Sequence, residues 1–299
     1  MKDKLVITAA LCGGATRKEQ NPNVPYTPEE FAREARRAEE AGAAVVHVHF
    51  RDPATGLPSV DRTIIREVIQ AIRENSGVLL NLSTGYLGPF LPNEARKTPI
   101  EEHTSDLASL NPGTMNFCLV NHSTGDIILD GTFENPFHMT IEYGKMMKEK
   151  GIKPELECFC PSHLQNALFF ARHYDFLVPP LHFSFVMGVT GGVPFGLDIL
   201  GAFLHALPPG ATWQGIGVGP FCFPVAMASA IHGGHIRVGL EDNIYVDYVT
   251  KTLSQGNWDQ VEKAVQIARL AGREVASPQE ARTILSLPTR QAAPAPAGE

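Results

Sequence analysis

No run of basic residues occurs anywhere in the chain, and acids outnumber lysine plus arginine 32 to 25, for a formal charge of −7. That removes the electrostatic footprint expected of a nucleic-acid-binding domain, although small anionic ligands, which respond to local fields, stay open. Apolar runs fall far short of the roughly 20 residues that cross a bilayer, so no membrane segment is expected. Lys2 and Lys4 lead straight into a short apolar stretch at 5–10, without a separate apolar h-region or a small-residue cleavage site. No secretory signal is read, and a cytoplasmic location is expected. Cysteines number only five, an odd count, with no C-x-x-C pair, which argues for reduced thiols over a disulfide framework or redox motif. Cys158 and Cys160 share a strand parity with Leu156 and read as small hydrophobes facing a helix layer. Also missing is a G-x-G-x-x-G after the first strand; Gly13-Gly14 alone is too weak a phosphate signal.

What is present is a regular alternation of strand-like and helix-like segments in 299 residues of 43% hydrophobic content. Strands are read at 5–10, 45–50, 78–83, 107–110, 155–159, 181–186, 212–218 and 235–240. Helical periodicity occupies 28–41, opened by a Thr27-Pro28-Glu29-Glu30 cap, then 61–75, 135–150, 162–174, 194–206 and 223–231. Gly42, Gly77 and Gly151 stand at helix-to-strand turns, where a left-handed cap belongs. Helices at 258–271 and 278–285 form a C-terminal extension whose apolar surface could bury against a neighbouring copy, and the Ala/Pro-rich 291–299 reads as a frayed tail. Eight β/α alternations predict a single (β/α)₈ TIM barrel over 1–290, with a doubly wound sheet as the alternative. In such a barrel, chemistry gathers at the C-terminal ends of the strands.

Strand parity then selects the inward side chains. His47 and His49 share one face, with Val46, Val48 and Phe50 on the other. Two neutral imidazoles one strand repeat apart suit a borderline-soft dication such as zinc, but His-x-His alone is equally compatible with two core histidines. Asn81 and Ser83 oppose Leu80 and Leu82; Glu155 and Glu157 oppose Leu156 and Cys158; His235, Arg237 and Glu241 oppose Ile236, Val238 and Leu240. Burying Glu157 and Arg237 unpaired would cost several kcal/mol each, so a polar barrel mouth or a strand-positioning ion pair is implied. The strands at 235–240 and 45–50 both neighbour the first strand of a closed ring, which lets Glu241 swing toward the two histidines and leaves a metal coordination position open. Asp242 beside it is then a candidate base, or a loop cap. His182 reads as a core or substrate-lining histidine, and His103, His122, His163 and His232 lack ligand-like spacing. The glycine-rich stretch 188–196 reads equally as a plain turn or an anion site.

Taken together, Asn21-Pro22-Asn23-Val24-Pro25-Tyr26, His47-Val48-His49-Phe50-Arg51-Asp52, Ser83-Thr84-Gly85, Asn111-Pro112-Gly113-Thr114, Pro154-Glu155-Leu156-Glu157 and Gly233-Gly234-His235-Ile236-Arg237-Val238-Gly239-Leu240-Glu241-Asp242-Asn243 resemble the β-keto acid cleavage enzymes over residues 5–285. The resemblance implies a zinc-dependent barrel, a homotetramer, that turns a β-keto acid and acetyl-CoA into acetoacetate and a new acyl-CoA. It implies His47, His49 and Glu241 as metal ligands, Asp242 as base, Arg237 as its partner and Glu157 in the same network. Ser83 matches a hydroxyl at the reacting centre, and Ser109 stands where the family's type member has threonine. Thr84 and Gly85, through backbone N–H groups, and Asn111 fall at the substrate's carboxylate end. Ala15 replaces a glutamate that in the type member holds a substrate ammonium group, so the resemblance implies an uncharged keto acid here. Other readings are a metal-dependent barrel hydrolase or aldolase, and a non-catalytic binder of zinc or acyl-CoA.

Overall fold

The computed structural model describes residues 4–85, 91–121 and 124–288; the predicted tail at 291–299 and His122 lie outside them. Eight parallel strands close into a ring in the order β1 (Ile7–Ala10), β2 (Val45–Val48), β3 (Leu79–Leu82), β4 (Leu107–Leu110), β7 (Lys153–Cys158), β8 (His182–Met187), β9 (Thr212–Gly217) and β10 (His235–Val238), which pairs back onto β1. All eight lie within or close to the stretches expected from periodicity. The ring sets Thr8 beside Arg237 and Ala10 beside His47, so β10 and β2 flank β1 as the closed order requires.

Helices α1 (Pro28–Ala41), α2 (Arg62–Asn75), α4 (Phe137–Glu149), α5 (Pro161–His173), α6 (Leu197–Ala206) and α7 (Cys222–Ile231) cover the outside. The Thr27 hydroxyl accepts from the Glu30 N–H while the Glu30 carboxylate accepts from the Thr27 N–H, and Pro28 gives up no needed donor. Asp61 caps α2 by accepting from Thr63 and Ile64. Gly42 and Gly151 take the positive φ expected of them, 120° and 66°. Gly77 does not, because α2 ends at Ser76 in an extended conformation. Cys160 departs from expectation too: β7 stops at Cys158, and Cys160 precedes α5 as a half-buried cap residue rather than facing the helix layer. The helix expected from 194 begins only at Leu197, after an extended Gly196.

Several elements escaped the periodicity. The first is α3 (Thr98–Glu102), a single turn. The second is an antiparallel ribbon, β5 (Met115–Val120) with β6 (Ile127–Phe133), inserted after β4 and standing over the barrel mouth. A smaller ribbon, β11 (Tyr245–Asp247) with β12 (Thr252–Leu253), follows β10.

At the opposite end the lumen is shut. Val6, Val45, Leu79 and Leu107 pack there against Ala276, Ala281, Leu285 and Leu287, so α9 (Pro278–Ile284) plugs the floor. The apolar face of α8 (Asn257–Leu270) likewise turns inward, burying Val261, Ala264 and Ala268. The surface expected to meet a neighbouring copy is therefore largely used within the chain. No helix among the described residues is long and apolar enough to cross a membrane.

Candidate active site

Directly above the apolar floor lies a layer of polar side chains, one per strand where the pleat turns them inward. Its centre is Glu155 on β7, fully buried. Gln214 on β9 donates to one carboxylate oxygen at 2.6 Å, Ser184 on β8 donates to the same oxygen, and Asn81 on β3 donates to the other. Thr8 in turn donates to Gln214 at 3.0 Å, which fixes the orientation of that amide. Burial opposes the Glu155 charge, but His47, Arg237 and these donors hold its pKa below the usual carboxylate range. The sequence placed Glu155 on the inner face; the four-strand network around it was not legible, since it joins residues up to 206 positions apart.

One layer higher, β2 and its extension bring His47 and His49 to the mouth, with ring centroids 5.2 Å apart. Glu241, just past β10, reaches across β1 to place Oε1 3.7 Å from His47 Nε2 and 3.5 Å from His49 Nε2. That crossing depends on Gly13: its φ is 61°, and a Cβ there would lie 2.6 Å from Glu241 Cγ. Burial holds the His47 imidazole down to about 4, so at neutral pH it is in the uncharged form that ligates metals. Tetrahedral ligation at zinc bond lengths separates donor atoms by about 3.4 Å, close to the 3.7 and 3.5 Å from Glu241 to the two imidazoles, and all three donors lie within 4.8 Å of one another. Glu241 Oε2 and His47 Nδ1 are buried without a hydrogen-bond partner. Four carboxyl groups, Glu155, Glu157, Glu241 and Asp242, gather here around one guanidinium, an excess of negative charge that a dication relieves. The donor set and its charge fit a divalent metal.

Arg237 organises the acids. Its Nε and Nη2 donate to the two Asp242 oxygens at 2.9 and 3.0 Å, a bidentate grip, while Nη1 meets Glu157 at 3.3 Å and Nη2 also reaches Glu241. Burial pushes Asp242 up to about 6 against the pull of Arg237, and burial together with the charge of Glu155 pushes Glu157 up to about 8. Glu241, despite burial, is held well below the usual range by Arg237 and the two histidines. Three acids in contact with one arginine thus occupy different protonation ranges, as acid/base chemistry requires.

The other expected residues divide. Ser83 lines the cavity, and its hydroxyl accepts from the Gly85 N–H at 3.0 Å. Ser109 does not reach the cavity; fully buried, its Oγ accepts from the Thr84 N–H at 3.0 Å and so supports the turn from below. The Ser83 N–H is taken by the Val48 carbonyl. All three N–H groups of Ser83, Thr84 and Gly85 are therefore engaged, and the carboxylate contact expected of them is not available. Asn111 has a buried amide whose nitrogen and oxygen lack partners, close to Gly85. Ala15 lies on the cavity's outer lip. In the stretch 188–196, Gly188 and Gly192 donate to carbonyls, and Gly191 lies so close to the Asn116 carbonyl that a Cβ would overlap it. These glycines let the loop pack against the ribbon; they do not form an anion cradle.

Two buried arginines were missed. Arg51 donates to the carbonyls of Gly13, Gly56, Cys12 and Thr16, fixing the loop that carries Gly13 and Ala15. Arg96 donates to Thr84 O at 2.8 Å, Glu134 O at 2.6 Å and Asn135 Oδ1 at 2.6 Å, tying the Ser83 turn to the base of the ribbon. Its ring partner is Phe133, 4.8 Å from the guanidinium carbon. No sequence pattern announces an arginine that binds carbonyls.

These parts enclose a cavity of about 410 Å³ at the C-terminal mouth of the barrel, where enzymes of this architecture carry their sites. The barrel mouth thus brings a buried His-His-carboxylate cluster that could hold a metal ion beside an arginine-held aspartate. The family model for β-keto acid cleavage enzymes matches residues 4–287, and the chain belongs to that family. It is 40% identical over 288 residues to a 3-keto-5-aminohexanoate cleavage enzyme of Fusobacterium nucleatum subsp. nucleatum, covering 96% of this chain and 99% of that one. It is 32% identical to a 3-dehydrocarnitine:acetyl-CoA trimethylamine transferase of Rhizobium meliloti (97% and 99% covered) and 32% identical to a 3-oxoadipate:acetyl-CoA acetyltransferase of Cupriavidus necator (97% and 98%). The solved apo structure of ObcA superposes with a TM-score of 0.71 at 21% identity over 89% of this chain and 66% of that one, a likeness of fold.

Proposed function

We propose that this enzyme condenses a β-keto acid with acetyl-CoA and releases acetoacetate and a new acyl-CoA, with zinc held by His47, His49 and Glu241. The observation that carries the reading is the meeting, at one barrel mouth, of that donor set and of Asp242 gripped through both oxygens by Arg237. Bound zinc supplies Lewis-acid polarisation of a carbonyl. Everything else falls to side chains of the chain itself. Asp242, oriented and kept ionised by Arg237, takes a proton from the CH₂ between the ketone and carboxylate of the keto acid. The resulting carbanion bonds to the acetyl carbonyl carbon and the CoA thiolate leaves. The thiolate then adds to the original ketone carbon; the bond from that carbon to the former CH₂ breaks, acyl-CoA departs, and Asp242 returns the proton to acetoacetate. Glu157, protonated at neutral pH, offers a hydrogen bond to a substrate oxygen. Ser83 lines the cavity and, by turning its hydroxyl from the Gly85 carbonyl, can donate to a substrate oxygen.

Incubation with zinc, acetyl-CoA and a panel of β-keto acids should yield acetoacetate and acyl-CoA in equal amounts. Cleavage without acetyl-CoA would instead mark a hydrolase, and no turnover a binder. A His47→Ala, His49→Ala double variant should lose bound zinc; undiminished zinc would overturn the donor set.

A further inference from the structure

The cavity has two ends of opposite character. Its charged side chains, Glu157, Arg237, Glu241 and Asp242, form one ion cluster on the inner side. Outward from there, no described lining residue is charged. The loop after β1 contributes Ala15, Thr16 and Gln20, and the ribbon contributes Phe117, Leu119, Ile128 and Phe133. Residues 86–90 and 122–123, outside the described set, add no acidic or basic side chain to the sequence apart from His122. The ribbon's apolar side chains are poorly covered: Leu119 is 36% and Ile128 71% exposed, although both border the cavity. Large hydrophobes left bare at the lip of a site gain most when a ligand covers them. An ammonium or carboxylate at that end of a substrate would lose water against hydrocarbon and find no counter-charge.

We infer that the β5–β6 ribbon is the specificity element of this site and seats an uncharged, aliphatic chain on the ketone side of the substrate, through Phe117, Leu119, Ile128 and Phe133. The inference rests on the reaction proposed above. The transfer then reads R–CO–CH₂–COO⁻ plus acetyl-CoA giving acetoacetate plus R–CO–CoA, with R an alkyl chain.

The test measures kcat/KM for freshly prepared 3-oxopentanoate, 3-oxohexanoate and 3-oxooctanoate, beside 3-keto-5-aminohexanoate and 3-oxoadipate, with acyl-CoA detected by mass. 3-Oxobutanoate is left out because its products would equal its reactants. The alkyl series should rise about fourfold per added methylene until the cavity is filled, the value of burying one CH₂. Both charged acids should fall at least about 10²-fold below the best alkyl acid. Ile128→Glu should flatten the alkyl gradient and raise the ratio for the ammonium acid over 3-oxooctanoate at least about tenfold. A flat alkyl series in the unmodified enzyme, or preference for either charged acid, would overturn the inference. So would an Ile128→Glu variant that raises KM for acetyl-CoA and keeps the alkyl gradient, because the wall would then belong to the pantetheine arm. If no keto acid is turned over, the reaction itself is wrong. Calorimetric binding of 3-hydroxypentanoate, 3-hydroxyhexanoate and 3-hydroxyoctanoate then still decides the wall: affinity rising with chain length supports the ribbon's role, and constant affinity overturns it.

Discussion

At the scale of single residues, the site turns on how one guanidinium is shared. Arg237 touches Asp242, Glu157 and Glu241 at once, yet only Asp242 receives two hydrogen bonds from it. A bidentate partner fixes direction as well as charge, so Asp242 presents a defined lone pair to the cavity. Asp242→Asn keeps the volume and removes the proton acceptor. Since a positioned base contributes about 10²- to 10⁴-fold, turnover should fall by that much while zinc content stays unchanged. Steady-state kinetics with parallel metal analysis checks it, and near-normal turnover would take the base role away from Asp242. Much of this was legible beforehand, because strand parity assigns His47, His49, Glu157 and Arg237 to one face without any structure. What parity does not give is who holds whom. Ser109 shows the limit: the resemblance counts its hydroxyl among the site's groups, but that hydroxyl accepts from the Thr84 N–H and does not line the cavity.

At the scale of elements, the loops matter more than the strands. The Ser83 turn, the β5–β6 ribbon and the loop after β1 all stand outside the barrel's strand ladder, and two buried arginines hold them: Arg51 the loop, Arg96 the turn and the ribbon's base. Arg96→Ala would strand the carbonyls of Thr84 and Glu134 and the Asn135 amide oxygen in a buried setting. At about 1 kcal/mol per lost hydrogen bond, the fold should weaken by roughly 3 kcal/mol. Because the same arginine ties the turn to the ribbon, KM for the keto acid should rise more than kcat falls. Denaturant unfolding beside steady-state kinetics separates the two effects, and an unchanged KM would leave Arg96 a purely structural residue. The sequence did carry a sign of the ribbon: Met115, Phe117 and Leu119 alternate, and Asn121 and Gly125 close a turn, Gly125 at a φ of 80°. The sign is faint because β6 is exposed along most of its length and alternates no apolar face. The barrel strands, by contrast, announce themselves through regular spacing and long apolar faces.

At the scale of the whole molecule, the barrel carries a second pair of imidazoles far below the mouth. His182, bonded to Thr212 at 2.9 Å, and His235, accepting from the Val6 N–H at 3.2 Å, sit near the floor with ring centroids 6.4 Å apart. Burial holds them down to about 4 and about 3; Glu155 favours protonation of His182 and Lys153 opposes it, while His182 and Arg273 oppose protonation of His235. An unfolded imidazole titrates near about 6.5. Between that pH and the folded values, the unfolded chain binds protons that the folded chain does not, so stability must fall as pH drops from 6.5 toward 4. Replacing both residues by Asn should reduce the pH slope of unfolding free energy in that window by up to about two protons. An unaltered slope would show that the pair does not titrate on unfolding.

The plug at the other end of that floor has a kinetic meaning. Among the described residues, α9 closes the bottom and the ribbon stands over the top, which leaves the mouth as the way in. Both reactants of the proposed exchange enter through it and both products leave through it, so traffic must queue. If the keto acid of the proposed reaction settles against the ion cluster first, the thioester closes the mouth behind it, and the products would leave in reverse order: last in, first out.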